Sequence, residues 1–557
     1  MKERALIADH RRFALSLVYG LSLSAAIAFG HQLERLEHLM FTFFTISRVL
    51  LLGGLIAVAV YFLLGRLHTS HNISKRLLLR DIPQDATDAK VLRRYFFKVW
   101  GGLVLCQIPV FLGVFPGFFV YDASDEMYQI ITRNFTTHHP LIHVLTMGGT
   151  VQGIYKLTGS YNAGIATYIG AQAVLICAAF ALILTLLKHW GVVRGWRIFS
   201  FLYLGVFPPV VMYTLCSAKD GIFSAAFLLF TALLLMMSEE RSRFMGNRRK
   251  VLFFIIITTI MLLYRNNALY AYLVFLPFGI LLYPRKGKSV KRRRMAGLLI
   301  APLVLALLTN QLLARATNAY DKNYQEFLTV PIQQLARIQY FYPGELSDAD
   351  RAVLFHYLPE EHLRNYRPRL SDPVKVGFNN QGFEEDPASF WRLWGTLFRE
   401  HPVAYLNAWL MTSYGYWYPL AVINVYQGNE VFTFTYDESS YFGYEVEEPG
   451  VRHSFIPVID EIYKTLSIRK AQQEIPVISL FFAPAFYFWI LAFVALYLLT
   501  DTRGDIRRRA LLFLPLFLYW LTLLLGPTYL VRYVVILLET TVLIPVFLRS
   551  QDGNVKD

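Results

Sequence analysis

FPGFFVYDASDEMYQIITRNFTTHHPLIHVL, residues 115–145, lies between two apolar runs and decides how the rest of the chain is read. It holds Asp122, Asp125 and Glu126, a His138-His139-Pro140 turn and several aromatics in one short stretch. A connection between membrane spans tolerates almost any polar filler. This one concentrates groups that can take a proton, bind a cation or orient a sugar. The expectation is that the surrounding spans hold this loop over a lipid-borne substrate.

Composition supports spans. The chain has 557 residues, is 55% hydrophobic and 16% aromatic, and carries only 17% charged residues. A soluble protein carries about 25%. Mean hydropathy is +0.40. Apolar runs of about 20 residues recur along the chain, the mark of a polytopic helical membrane protein. No alternating pattern of a membrane β-barrel is present. The net charge of +15 does not point to nucleic acid, because the basic residues sit in short connections beside the apolar runs. Cys106, Cys177 and Cys216 lie in or at the end of apolar runs, too few for a disulfide framework or a thiolate metal site. The first apolar run lacks a small-residue cleavage pattern and reads as an uncleaved span.

About twelve spans are expected, near 13–30, 39–64, 96–114, 162–187, 196–215, 221–238, 251–264, 268–283, 296–314, 476–499, 510–526 and 529–548. One set of connections is basic: Arg11/Arg12, Lys75/Arg76/Arg80 with Arg93/Arg94/Lys98, Lys188/Arg194/Arg197, Arg248/Arg249/Lys250, Arg292/Arg293/Arg294 and Arg507/Arg508/Arg509. The alternate set is poor in Lys and Arg. The positive-inside rule then puts both termini in the cytoplasm. The Asp122 loop, Lys219-Asp220, Arg265-Asn266-Asn267, segment 315–475 and Arg532 fall together on the outer face. The domain reading is a two-span extension with a basic loop (1–94), a membrane core (95–314) whose outer loop is 115–160, an outer domain (315–475), and final spans with a tail (476–557). In the outer domain, Pro387–Glu400 and Pro402–Tyr416 are helix-like. The run 403–423 is apolar enough to resemble a span, but crossing there would invert Arg507–Arg509. It is read as a helix at the outer interface, with Trp409, Tyr414, Tyr416, Trp417 and Tyr418 at headgroup level, or as the aromatic core of the domain.

Glycosyl transfer from a phosphate-linked donor needs a base for the acceptor proton and positive charge for the departing phosphate. Asp122 follows the aromatic run Phe118–Tyr121 at the end of a span. It is the candidate base, with Asp125 and Glu126 as competitors. The structural alternative is that Asp122 caps a helix starting near Ala123, with Asp125 and Glu126 favoured in its first turn by the dipole. Adjacent His138 and His139 do not share a helix face, so a paired metal site is not expected. Pro140 suits the first position of a helix over 141–157. His139 is placed to bond a carboxylate or a phosphate, or the pair is a solvated turn. Lys219 in CSAKDGIF, Arg265 in LYRNNALY and Arg532 in YLVRYVV either snorkel to headgroups or converge on a phosphate. Asp220, Asn266, Asn267 and Tyr533 accompany them.

YDASDE, HHPLIHVL, SAKDGIF, YRNNALY, HPVAYLNAW and YGYWYP resemble a family of bacterial multispanning proteins of unassigned function, associated with the GT-C glycosyltransferases. That class includes the protein O-mannosyltransferases and the lipid A aminoarabinose transferases. The resemblance covers the chain from about residue 95. It implies an all-α, GT-C-like bundle of about 12 transmembrane helices with an extracytoplasmic α-rich domain. It also implies a plasma-membrane location and a polyprenyl-phosphate sugar donor. The transfer would be inverting, to an extracytoplasmic acceptor, with the loop aspartate as base, matched here by Asp122. Some GT-C enzymes use Mg or Mn and others no metal. Two other readings stay open: a surface-polysaccharide polymerase or ligase, and a flippase of lipid-linked substrates.

Overall fold

The structure is a computed structural model that describes residues 2–69, 88–239, 241–282, 292–320, 324–422, 446–501 and 511–548. Among the described residues it is all-helical, with isolated backbone bridges and no strand. The basic residues Lys75, Arg76, Arg80 and Arg507–Arg509, on which part of the expected orientation rests, lie outside the described residues.

Six helices are long and apolar enough to cross a membrane. They are α1 (Lys2–Leu36, through its part Asp9–Leu36), α2 (Phe43–Thr69), α3 (Ala89–Gly113), α6 (Tyr161–His189), α9 (Asp220–Glu239) and α12 (Arg292–Thr317). Between them lie α4 (Ala123–Thr132), α5 (Leu141–Thr158), α7 (Arg194–Val206) and α8 (Pro208–Thr214), then α10 (Arg248–Tyr264) and α11 (Asn266–Leu282). Helices α7 and α8 make a seventh candidate only as a pair bent by 57°. The bend falls at Phe207-Pro208, because proline has no N–H for the helix ladder and its ring clashes with the preceding turn. The helices at the other expected spans are shorter than these six. α10, α11 and α16 (Pro484–Thr500) have 17 residues each, a rise of about 26 Å against about 30 Å of hydrocarbon. Leu511–Leu523 and Val535–Phe547 are shorter still. Length and composition alone therefore support six of the twelve expected spans among the described residues, or seven with the bent pair. A hydropathy run does not register the proline and polar breaks that end a helix inside it.

The two ends of the bundle are distinct. At one, the Arg11 guanidinium donates to the Asp501 carbonyl at 2.8 Å, and His68 lies 3.0 Å from the Thr500 hydroxyl. At the other, the Glu34 and Glu37 carbonyls accept from Arg369 (2.9 Å) and Arg337 (2.8 Å), and the Leu39 N–H donates to Asn407 (3.0 Å). The helical domain that follows α12 sits on this second end. Its own core joins Ile332, Leu335, Leu354, Leu358, Phe390 and Leu397. They come from α13 (Thr329–Phe341), α14 (Pro387–Glu400) and the helix Asp348–Tyr357 between them, with Leu358 just past its end. Ser347 and Asp386 cap the last two helices through Asp350 N–H (3.1 Å) and Ser389 N–H (3.1 Å).

That separate core ends near Tyr405. α15 (Pro402–Ser413) has 12 residues, too few to cross, and beyond it Tyr414, Tyr416 and Tyr418 are buried in the main core. These tyrosines are buried at the joint between domain and bundle. Trp409 is tied in the same way, donating to the Leu524 carbonyl at 2.7 Å.

Candidate functional site

The 115–145 loop is held by backbone pairing that hydropathy cannot show. Phe118 N–H donates to Leu215 O (3.0 Å) and Ser217 N–H to Phe118 O (2.9 Å), a parallel bridge between two inter-helix loops. Gln172 on α6 donates to Cys216 O (2.6 Å), and His143 on α5 lies 2.9 Å from Ser217 O. Gly117 sits at φ +120, and a Cβ there would lie 2.5 Å from Ile169, so both backbone and space require glycine. The pairing puts Asp122, four residues past Phe118, beside Lys219, two past Ser217.

Asp122 stands at the N-cap position of α4 but makes no capping bond. Its backbone and that of Tyr121 are left-handed, at φ 74 and 56. Strained conformations of this kind cost energy and persist where surrounding contacts enforce them, often at functional sites. The cap comes instead from Glu447, whose Oε2 accepts the Ser124 N–H at 2.8 Å. Asp122 Oδ2 is thereby free to face two cations, Arg532 Nη1 at 3.3 Å and Lys219 Nζ at 3.5 Å, with His139 Nδ1 at 3.9 Å beside them. Burial alone would raise this carboxyl. The Arg532 and Lys219 charges outweigh it and hold Asp122 well below the usual carboxylate range.

His139 is buried between the same groups. Its Nδ1 lies 3.2 Å from Lys219 Nζ, and its Nε2 lies 3.1 Å from Asp125 Oδ2. An ammonium only donates, so Nδ1 accepts and Nε2 carries the proton given to Asp125. That bond, more than the opposing burial, lowers Asp125. Glu126 turns inward and is 1% exposed. It meets His143 Nδ1 at 2.7 Å. Burial opposes its ionisation, but the His143 partner overcomes this and lowers it. Since the Ser217 carbonyl can only accept, His143 Nε2 carries a proton. Glu126 thus joins α4 to α5 beneath the site. Pro140 proves to be the residue before α5 rather than its first, and its carbonyl accepts from His143 and Val144.

The three basic residues do not converge equally. Lys219 and Arg532 share Asp122. Arg265 lies one layer back, in a close buried pair with fully buried Asp220. Arg532 Nε is 4.0 Å from Asp220 Oδ2 and so touches both layers. Tyr533 lies between the guanidinium groups, with Arg265 4.5 Å and Arg532 4.9 Å from its ring centre, and its hydroxyl accepts from Arg532 at 3.1 Å. Asn267 turns away to donate to Thr522 (3.0 Å), a brace between α11 and the Leu511–Leu523 helix, and Asn266 is exposed. Neither faces Asp122 as expected. His138 stands 3.7 Å from Glu326 of the helical domain, which in turn pairs with buried Lys375 at 2.8 Å.

Sequence reasoning missed Glu447, His143, Glu326 and Lys375. A lone His amid Leu-Ile-Val at 141–145 was the available signal for His143. Glu447 had none, since its partner is more than 300 residues away. The donor set does not fit a divalent cation. Each loop carboxylate is answered by a Lys, Arg or His, and no group of three His, Cys, Asp or Glu within ligating reach occurs among the described residues.

What the cluster offers is an ionised carboxylate, two cations paired with it, and a hydrogen-bonded His beside them. The sequence profile of a family of unknown function, DUF6020, matches residues 126–548. That range takes in Glu126, His139, Lys219, Arg265 and Arg532 and begins just after Asp122 and Asp125. No curated protein and no solved structure gives a significant match. The match spans well over half of the chain, and the protein is a member of the DUF6020 family.

Proposed function

We propose that the protein is a GT-C-type membrane glycosyltransferase. It moves a sugar from a polyprenyl-phosphate donor to an extracytoplasmic acceptor with inversion. The observation that carries the reading is Asp122, left-handed and relieved of capping, set between Lys219 and Arg532 at the end of the bundle that bears the outer domain. Asp122 accepts the acceptor hydroxyl proton as that oxygen attacks the anomeric carbon. The anomeric C–O bond breaks, and its electron pair leaves with the phosphate, which Lys219 and Arg532 stabilise. In the resting site those cations neutralise Asp122 and depress its basicity. A donor phosphate competes for them, so the carboxylate becomes a better base as the donor binds. Topologically, the proposal keeps twelve passes, with the shorter helices and the bent pair completing the six long spans, and places this end outside the plasma membrane.

One observation favours the flippase reading. Glu539 lies inside the apolar Val535–Phe547 helix, is 2% exposed, and accepts the Ser224 hydroxyl at 3.0 Å. Ionisable residues within a bundle often mark transport paths. A donor screen separates the two. Purified protein in nanodiscs is given polyprenyl-phosphate and polyprenyl-diphosphate sugars with an alcohol acceptor, and free lipid phosphate is measured. Release of polyprenyl phosphate supports the transferase. Lipid-linked sugar crossing the bilayer of proteoliposomes without cleavage overturns it.

A further inference from the structure

Glu447 belongs to a segment that runs antiparallel beside the loop. Glu447 N–H donates to Phe119 O (2.7 Å), His453 N–H to Phe115 O (2.8 Å) and Phe455 N–H to Leu112 O (3.0 Å). The backbone of residues 447–455 is therefore fixed to the same stretch that carries Asp122. The Glu447 side chain is buried and reaches the first turn of α4 at the Ser124 amide. An aspartate at the N-cap position ordinarily makes that bond itself. Here the place is taken by a residue from across the chain.

We propose that Glu447 is a positioning residue. In its ionised form it occupies the amide end of α4, and so keeps Asp122 turned toward Lys219 and Arg532. When Glu447 is protonated the charge-assisted bond to Ser124 weakens, the helix end loses its anion, and Asp122 is the nearest carboxylate to replace it. The proposal rests on reading Asp122 as the reacting carboxylate.

Burial, reinforced by the Asp122 charge, pushes Glu447 up to about 7. The groups facing it are Asp122 and Glu126 of α4, which raise it, and Arg532, which lowers it. Cys216 of the paired loop is nearby. On its own segment Glu448 is exposed, Arg452 donates to the Val114 carbonyl, and His453 stacks edge-on to Phe455 at 4.8 Å. Asp122 is held far below this range, so it does not itself titrate near neutrality.

The test is hydrogen exchange of the peptide spanning 122–132 in the full chain in nanodiscs, corrected for intrinsic rates, from pH 6 to pH 8. In the wild type, protection should rise with pH through about 7. Glu447→Gln keeps an acceptor but never ionises, and should stay at the low-pH level throughout. With a donor from the screen, wild-type transfer should be about tenfold slower at pH 6 than at pH 8, following the ionised fraction. Glu447→Gln should be flat over that window. A variant that keeps the wild-type protection and pH limb overturns the proposal. If Glu447→Gln does not fold, Glu447→Asp serves. One methylene shorter, it should lower protection at every pH and keep the pH response, and wild-type protection in it counts against the proposal. Failure of every donor would instead defeat the transferase reading, while the exchange measurement still decides the role of Glu447.

Discussion

Asp122→Asn removes one negative charge and almost nothing else. Asparagine is among the few residues that tolerate the left-handed backbone found here, so φ 74 is kept without new strain. Since Glu447 supplies the cap, no capping bond is lost. What disappears is the charge facing Arg532 at 3.3 Å and Lys219 at 3.5 Å. Each charge-assisted contact is worth about 1.5–3 kcal/mol. The Asp122 side chain is 28% exposed, so the lower end applies and the fold should lose about 2–3 kcal/mol in all. Transfer should fall about 10²–10⁴-fold, the usual cost of losing a general base. The two cations are meanwhile released from their resting partner. Polyprenyl phosphate should therefore bind more tightly, by about tenfold for each 1.4 kcal/mol of competition removed. Transfer is read with the screened donor, and lipid phosphate affinity by titration into nanodiscs. A folded variant with a normal rate and unchanged phosphate affinity would refute the reasoning. Tighter phosphate binding with lost transfer is a result that a merely structural Asp122 would not give.

Further expectations separate the layers of the site. Lys219→Gln and Arg532→Gln should each weaken donor use about tenfold to a hundredfold in a KM measurement. Arg265→Gln should act on the fold instead, because it strands the fully buried Asp220, and about 3–5 kcal/mol of lost stability in a denaturation assay is expected. Stability should also report Glu447. Its folded value of about 7 lies above its ordinary 4.5, so its ionised form disfavours the fold above pH 7. Glu447→Gln should then exceed the wild type in Tm at pH 8 by the equivalent of about 1–3 kcal/mol, and the gap should close below pH 5. The depressed Asp122 and Asp125 work the other way, contributing fully at neutral pH and losing their contribution only in acid, below about 4. Cysteines placed at the exposed positions Asp348 and Glu448 should both react with an impermeant reagent from one side of the membrane. Labelling from opposite sides would break the proposed topology.

The sequence by itself determined that this chain is helical and membrane-like, because runs of apolar residues longer than a buried helix needs have few other stable states. It also marked the stretch around Asp122, since charged and aromatic residues rarely crowd one short loop without a common purpose. It placed the helix Pro387–Glu400 and read Pro402–Tyr416 as helix-like, of which the structure makes Pro402–Ser413 α-helix and Tyr414–Tyr416 a 3-10 turn. It could not show the breaks at Pro208 and Pro484, because hydropathy averages over them, and they cut apolar runs into shorter helices. Nor could it sort the polar residues it had marked. Asp122, Lys219 and Arg532 meet, Arg265 retires behind them with Asp220, and Asn267 turns away to Thr522. Those outcomes depend on which helix faces which, and side-chain partners hundreds of residues apart leave no local trace. Only the tertiary structure could show that Glu447 caps a helix begun by Asp122. The cap is a single hydrogen bond whose two ends become neighbours when segment 447–455 pairs with the loop.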